Sequence, residues 1–267
     1  MAADAARRPR LRAWRPEIPG VAEVLHAHFP DHAYPLHTHD TWTLLVVDTG
    51  AVRFDLERHE HAALGSRVTL LPPYVPHDGR SVAAGGCRKR VAYLDADTLD
   101  VRRIGRAVDH PGWDDAALRS EVHLLHEAMR HPGEEFEAEG RLALVTARLT
   151  AHLERLPDRP ARSDPRLAAR LRDLLDDHVA EGISLGEAAA LLDAHPTHLV
   201  RAFRREVGIP PHRYLTGRRL DRARRMLLAG GRPADVAVEV GFHDQAHLTR
   251  HFKRMLGVTP GVYADSA

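Results

Sequence analysis

The chain has 267 residues, a single cysteine and a formal net charge of +1 at pH 7. This length allows two modest domains, each with a buried core. One cysteine excludes a disulfide framework and is typical of a reducing compartment. No apolar run approaches the roughly 20 residues of a membrane-spanning helix, and the arginine-rich N-terminus lacks the apolar stretch of a secretory signal. We therefore predict a cytoplasmic protein with no membrane partner.

A β-rich domain is predicted for residues 21–105, after an N-terminal arm at residues 1–20. Short runs rich in valine and leucine, such as TWTLLVVDTG and SRVTLLPP, are separated by glycine, proline and aspartate at close spacing. Many short strands at this spacing favour a small sandwich or barrel.

The same domain carries the candidate small-molecule site. His37 and His39 are two residues apart, and a later segment with the pattern G…P…PH ends at His77. Three histidines are sufficient to hold zinc, but they could equally be polar walls of a ligand cavity, so a metal ion stays an open alternative. Aromatic side chains nearby complete the candidate effector pocket, which comprises Tyr34, His37, His39, Trp42 and His77.

Two amphipathic helices are predicted within residues 106–156. Leu118, Val122 and Leu125 recur at helical spacing in the first of them, and a similar leucine pattern follows over 134–156. Such helices could pack on the barrel or form the seam of a homodimer. The sequence LPDRPARSDP then predicts a linker at 157–165.

Residues 166–267 are predicted to be entirely helical and to bind a polyanion. Between residues 196 and 256 there are 13 arginines and lysines against 5 acidic residues, 13 − 5 = +8, although the whole chain is almost neutral. A basic segment joined to an acidic remainder is typical of a nucleic-acid-binding module on a carrier domain. Within it, Leu248, Phe252 and Met255 are spaced as the buried stripe of a helix whose other face is cationic.

This region contains an internal repeat. The stretch SLGEAAALLDAHPTHLVRAFRREVGIPPHRY matches RPADVAVEVGFHDQAHLTRHFKRMLGVTPGVY in outline, and both contain a turn, the pair HL, a phenylalanine and the pattern G-x-x-P-x-x-Y. Two helix-turn-helix motifs joined by one long basic helix resemble the DNA-binding region of the AraC/XylS family of transcription regulators. The resemblance covers about 165–263, and GFHDQAHLTRHFKRMLGVTPGVY carries it most closely.

The resemblance implies an α+β multidomain protein. An N-terminal cupin-like barrel with helices would bind an effector, and an all-α domain with two helix-turn-helix motifs would bind double-stranded DNA. Many members have this order of domains, and RNA polymerase is a further expected partner. Asp193 and His195 depart from the usual glycine and serine of the first motif, so we expect the second motif to be better formed.

The outer faces of the two motifs supply the candidate DNA contacts. Arginine and glutamine pair with guanine and adenine edges, and apolar side chains contact the thymine methyl. Basic side chains neutralise phosphates. The predicted base-reading residues are Thr197, Val200, Arg201, Gln245, Ala246, His247 and Arg250. The predicted phosphate contacts are Arg204, Arg205, Arg218, Arg219, Lys253 and Arg254.

Two other functions are compatible with the sequence. The His37-Thr38-His39 pair followed by the G…P…PH segment resembles the two motifs of the cupin barrel, so a metal-dependent cupin enzyme fused to a DNA-binding module is one alternative. It would require bound metal and turnover, yet the glutamate that follows the histidine pair in metal-binding cupins is missing after His39. A regulator without a small-molecule effector would use the barrel as a dimer scaffold. The favoured interpretation is a non-enzymatic regulator controlled by a small molecule.

Overall fold

The computed structural model describes residues 10–30, 33–57, 59–83, 85–155 and 163–265. The chain divides into two compact units. The first contains residues 1–130 and 145–158, and the second contains residues 131–144 and 159–267. Most of the predicted linker lies outside the described residues.

The first unit is built on two antiparallel sheets. A six-stranded sheet has the order β1-β2-β9-β4-β7-β10, and a four-stranded sheet has the order β3-β8-β5-β6. The predicted N-terminal arm is wrong in part, because residues 10–14 form strand β1 against β2. The strands are β1 Arg10–Trp14, β2 Val21–Phe29, β3 Ala33–His37, β4 Trp42–Thr49, β5 Val52–Leu56, β6 His59–Ala63, β7 Val68–Leu71, β8 His77–Ser81, β9 Cys87–Leu94 and β10 Gly112–Trp113.

The core of this unit includes side chains from both sheets. Leu45 and Val91 of the large sheet join Phe54 and Leu56 of the small sheet in one buried cluster. Strand β4 is buried along residues 42–47, so its two faces both pack against apolar neighbours. A strand covered on both faces needs a continuous apolar run, which is the pattern of WTLLVV.

Three α-helices follow β9, and the first of them precedes β10. They are α1 Ile104–Asp109, α2 Ala116–Ala128 and α3 Glu135–Leu153. Asp115 caps α2, because its carboxylate accepts hydrogen bonds from the backbone N–H groups of Ala117 and Leu118. The predicted apolar stripe of α2 is buried. Helix α3 belongs to both units, since the division falls between Leu144 and Val145.

The rest of the second unit is helical. Its helices are α4 Pro165–Asp177, α5 Leu185–Leu192, α6 Pro196–Val207, α7 Pro211–Leu228, α8 Pro233–Glu239, α9 Gln245–Leu256 and α10 Pro260–Ala264. No helix among the described residues has both the length and the apolar character needed to cross a membrane.

Each half of the predicted repeat has its own core. Leu199 and Phe203 are fully buried in one cluster, and Leu248 and Phe252 are fully buried in another. The stripe predicted for α9 is wrong at Met255, which is 61% exposed. Its neighbour Leu256 packs against the cluster of Leu248 and Phe252, so the third position of the buried stripe is Leu256 rather than Met255.

Candidate DNA-reading surface and candidate ligand site

The second helix-turn-helix motif consists of α8, a glycine turn and α9. Gly241 has φ of 92°, and a Cβ there would overlap the carbonyl oxygen of Ala180. Only glycine tolerates both conditions. The carboxylate of Asp244 then caps α9 by accepting a hydrogen bond of 2.6 Å from the backbone N–H of His247. The turn and the cap that the sequence predicted are therefore both present.

The first motif, α5 and α6, also turns through a left-handed residue, but its turn is one residue shorter. Asp193 is in the left-handed region with φ of 50°. The Nδ1 atom of His195 accepts a hydrogen bond of 3.3 Å from the backbone N–H of Thr197, so an imidazole replaces the usual hydroxyl cap. This hydrogen bond is longer than the one made by Asp244, which agrees with the expectation of a less well formed first motif.

The predicted base-reading residues of α9 fall into two groups. Gln245 and Ala246 are exposed. His247 is only 4% exposed. A guanidinium nitrogen of Arg250 donates a hydrogen bond of 2.7 Å to an Oε atom of Glu134. Two of the four predicted base-reading residues of α9, His247 and Arg250, are therefore already in contact with other residues of this chain.

The base-reading residues of α6 are covered more completely. Val200 is 3% exposed and Thr197 is 8% exposed. The Thr197 hydroxyl donates a hydrogen bond of 3.1 Å to the backbone carbonyl of Ala143. Val200 lies in a cleft beside Phe136 and Gly140. Arg201 is half-buried.

All of these covering contacts come from residues 131–144, which we call the acidic segment. It has four glutamates, at positions 134, 135, 137 and 139, and one arginine, so its charge is 1 − 4 = −3. Its remaining carboxylates are also used within the second unit. Glu139 accepts a hydrogen bond of 2.5 Å from the backbone N–H of Leu185, and Glu137 lies 3.3 Å from His212.

The predicted phosphate contacts are only partly available. Arg204, Arg205, Lys253 and Arg254 are exposed. Arg218 is exposed but forms an ion pair of 2.8 Å with Asp176. Arg219 is half-buried, and its Nε donates a hydrogen bond of 2.8 Å to the carbonyl of Val179, so its phosphate contact stays a prediction. Burial lowers the pKa of Arg219.

Glu134 is the centre of a compact cluster with His247 and His251. Its side chain is 12% exposed. The Nε2 atom of His251 lies 2.8 Å from Oε1 of Glu134, and Nε2 of His247 lies 3.8 Å from it. Burial alone would raise the pKa of Glu134, but hydrogen bonds from His251 and Arg250 hold that pKa at about 2. Burial lowers the pKa of His247 to about 4, so His247 is neutral at pH 7.

The three barrel histidines are brought together as the sequence predicted. The ring centroids are 4.8 Å apart for His37 and His39, 4.6 Å for His37 and His77, and 5.2 Å for His39 and His77. Nδ1 of His37 lies 2.7 Å from the carbonyl of Pro35, and Nδ1 of His77 lies 3.0 Å from that of Val75. Both Nδ1 atoms therefore carry the proton, which leaves both Nε2 lone pairs free to accept or to ligate.

The residues around this histidine cluster differ from the predicted pocket: one predicted residue is absent and others are present. Trp42 is fully buried and donates its indole N–H to the carbonyl of Ala96. It pairs with Leu94, whereas its neighbour Thr43 pairs with Tyr93, so Trp42 and Tyr93 face opposite sides of the sheet. Tyr93 lies 5.1 Å from the His39 ring. Trp42 was therefore a wrong prediction for the pocket, and Tyr93 was missed.

Lys89 is the second residue that the sequence did not suggest. It alternates along β9 with Cys87 and Val91, which both belong to the core between the sheets. Its ammonium group lies 4.2 Å from the centroid of the Tyr34 ring. The alternation in CRKRVAYL was the available signal, because it places Lys89 on the apolar side of its strand.

Comparisons with known proteins match one family model to the β-rich part of the chain and another to the helical part. The family model described as AraC-like ligand binding domain matches residues 19–146. The family model described as helix-turn-helix domain matches residues 188–266.

Some relatives match about half of the chain at higher identity, and others match almost all of it at lower identity. The uncharacterized HTH-type transcriptional regulator YbfI of Bacillus subtilis is 33% identical over 135 residues, 49% of this chain and 42% of that protein. The transcriptional activator RhaS of Citrobacter koseri is 24% identical over 252 residues, 89% of this chain and 90% of that protein. Among solved structures, the C-terminal domain of AraT from Geobacillus stearothermophilus is 27% identical with a TM-score of 0.37 and covers 38% of this chain and 86% of that chain.

Proposed function

This chain belongs to the AraC family of transcription regulators, and from that premise we propose that it binds a specific DNA sequence through helices α6 and α9. The binding would be controlled by a small molecule in the barrel. The observation that carries the proposal is the repeat itself. Two motifs, each with a left-handed turn residue, a capped second helix and a buried phenylalanine, present their second helices from one helical unit.

The reading geometry follows from this duplication. Two reading helices on one unit enter successive major-groove segments about 10 base pairs apart. Gln245, Ala246 and Arg201 would contact base edges, and Arg250 would pair with guanine after leaving Glu134. Arg204, Arg205, Lys253 and Arg254 would contact phosphates, which makes binding weaker at higher salt.

The first experiment is to identify the DNA site and then remove one reading side chain. Fragments of genomic DNA that bind the purified full chain are selected and sequenced, and binding to the selected duplex is compared with binding to a random duplex. Arg250→Ala is expected to weaken specific binding by about 1–3 kcal/mol and to relax sequence choice. Lys253→Ala is the control, because loss of a phosphate contact weakens both duplexes equally. Equal losses on both duplexes for Arg250→Ala would refute a base-reading role.

A bound small molecule would act by favouring one conformation of the chain. Its influence on DNA binding equals the difference between its affinities for the competing conformations. Ligand-dependent thermal stabilisation distinguishes this proposal from a barrel that serves only as a dimer scaffold. The homodimer, the contact with RNA polymerase and the absence of enzymatic turnover stay predictions of the family assignment.

A divalent ion in the barrel is a second proposal, and one observation favours it. The hydrogen bonds from Nδ1 of His37 and His77 direct both Nε2 atoms away from the backbone, and the ligand atoms of His37, His39 and His77 all lie within 4.8 Å of one another. Burial lowers the pKa of His39 to about 4, and neutral imidazole is the form that ligates. These three residues would hold the ion, which would supply a Lewis-acidic centre for an oxygen-bearing effector. Elemental analysis of the purified protein tests this directly, with His77→Ala as the comparison.

A further inference from the structure

The barrel interior contains a lysine, Lys89, among apolar and aromatic side chains. Lys89 points from the large sheet toward Tyr34 on the small sheet, and its ammonium group lies 4.2 Å from the Tyr34 ring and 5.7 Å from the Phe29 ring. It makes no ion pair with any residue that the structure describes. A lysine held among apolar and aromatic groups without a carboxylate is costly, because its charge is only weakly compensated by ring faces.

Other polar groups in the same interior also have no partner. The hydroxyl of Thr43, which faces the core with Tyr93, makes no hydrogen bond to any described residue. The same is true of Nε2 of His61, whose ring stacks on Phe54 of the core cluster. Buried polar atoms in folded proteins are nearly always satisfied, so a ligand with hydrogen-bonding groups fits this interior better than a hydrocarbon.

We infer that the barrel binds a small organic monoanion, a carboxylate on an apolar body, and that Lys89 pairs with the carboxylate. This inference rests on the proposed ligand-controlled function and specifies the class of its effector. A single lysine compensates a single negative charge, and the surrounding Leu25, Leu45 and Val91 would cover the apolar body. Neutral imidazoles and Tyr93, whose pKa burial raises to about 12, would supply the remaining hydrogen bonds.

The test uses matched pairs of compounds with the full-length protein. Butyrate, hexanoate, benzoate and phenylacetate are each compared with their carboxamides by thermal unfolding and calorimetry, with and without EDTA. At least one carboxylate should bind at least 10-fold more tightly than its amide. Lys89→Met should remove that preference, and Lys89→Arg should retain part of it. Arg88→Met, at an exposed position of the same strand, is the control and should keep the preference for the carboxylate.

Each possible result of this binding experiment either supports or contradicts the anionic class of ligand. Equal binding of amide and carboxylate, an unchanged preference in Lys89→Met, or no binding by any carboxylate would overturn the anionic class. A preference abolished by EDTA but retained in Lys89→Met would assign the anion to a metal ion instead. DNA binding, measured separately on the selected duplex, keeps a failure of this inference distinct from a failure of the proposed function.

A second inference comes from the acidic segment on the reading surface. Its contacts coincide with residues that the sequence assigned to base reading: Ala143 with Thr197, Gly140 with Val200, and Glu134 with Arg250. DNA cannot reach Thr197 and Val200 while this segment is in place, because both are less than 10% exposed. The carboxylate of Glu134 offers Arg250 the same kind of acceptor that a guanine edge or a phosphate would offer.

A metal ion at Glu134, His247 and His251 does not explain the cluster. The backbone N–H of His243 donates a hydrogen bond of 3.2 Å to Nδ1 of His247. The proton of neutral His247 is then on Nε2, the nitrogen that faces Glu134. A protonated nitrogen has no lone pair for a metal ion. The cluster is therefore a carboxylate held by donors, a purely intramolecular contact.

We propose that residues 131–144 are a built-in competitor of DNA, and that DNA binding requires this segment to leave α6 and α9. The segment continues without interruption along α3 into Val145 and the residues of the first unit. A conformational change in the first unit therefore has a covalent route to the reading surface. DNA binds only the molecules in which the segment is displaced. The apparent affinity for DNA is therefore the intrinsic affinity multiplied by the fraction of such molecules.

The decisive variant is Glu134→Gln, which keeps the shape of the side chain and removes its charge. It should raise the affinity of the full chain for the selected duplex by about 5- to 30-fold, since it weakens a charge-assisted contact that competes with DNA. Glu135→Gln is the matched control. It removes the same charge from the same segment, but among the described residues Glu135 accepts a hydrogen bond only from Gly133 of that segment.

Hydrogen exchange gives an independent measurement. On addition of DNA, amides of residues 134–144 should exchange faster while those of α6 and α9 become protected. Thr197→Val, which removes the hydrogen bond to Ala143, is the second variant if Glu134→Gln folds poorly. The proposal is overturned if Glu134→Gln raises affinity no more than Glu135→Gln, or if the segment becomes more protected when DNA binds.

Discussion

The two helix-turn-helix motifs share one plan but use different residues at the turn, and the neighbours of each turn explain why. Gly241 lies against the carbonyl of Ala180, so its position excludes any Cβ. Asp193, at the equivalent place in the first motif, is exposed and adopts the same left-handed conformation with a side chain. A left-handed residue in open surroundings requires a tolerant side chain, whereas one under a neighbouring backbone requires glycine.

The largest expected effect comes from adding a methyl group at the crowded turn. Gly241→Ala should lower the free energy of unfolding of the second unit by about 2–4 kcal/mol, because left-handed strain and a clash with the Ala180 carbonyl act together. Gly257→Ala is the control. Gly257 also has positive φ, but a Cβ there would meet nothing within 4 Å, so a loss of about 1 kcal/mol is expected. Urea unfolding of both variants measures the difference, and equal losses would show that the Ala180 contact is unimportant.

The second comparison concerns the histidine that precedes a leucine in each motif, His198 in the first and His247 in the second. His247 is buried beside Glu134, whereas the side chain of His198 is 39% exposed and lies 3.3 Å from Asp164. Burial lowers the pKa of His247 from 6.5 to about 4. The folded state therefore takes up fewer protons than the unfolded state between these values. This contribution to stability is present above about pH 6.5 and is lost as the pH falls toward 4.

Unfolding measured at pH 7 and pH 5 isolates this contribution. The wild-type chain should lose about 1–2 kcal/mol more stability over this interval than His247→Gln does. His198→Gln, at the equivalent exposed position, is the control. The idea fails if the two variants have the same dependence on pH.

The comparison also shows which features of the chain the sequence could predict. The glycine turn, the Asp244 cap and the buried Leu248 and Phe252 depend on residues a few positions apart, so local pattern was sufficient. The covering of Thr197 and Arg250 depends on partners 54 and 116 residues away in the chain. The periodicity of apolar residues and the helix or strand propensity of each residue carry no information about contacts between such distant positions. The same limit explains Trp42, where the pattern identified a strand but could not assign its two faces.

The smallest expected effect tests whether the first motif is limited by its turn. Asp193→Gly should stabilise the second unit by about 0.5 kcal/mol, because relief of left-handed strain exceeds the extra entropy of glycine in the unfolded chain. Asp193→Asn is the matched control, since asparagine keeps the shape, removes the charge and tolerates the same conformation. Urea unfolding measures the change in stability, and binding to the selected duplex measures its consequence. If the turn limits α6, Asp193→Gly also tightens specific binding, whereas unchanged affinity with increased stability would place the limit in the acidic segment that covers Thr197 and Val200.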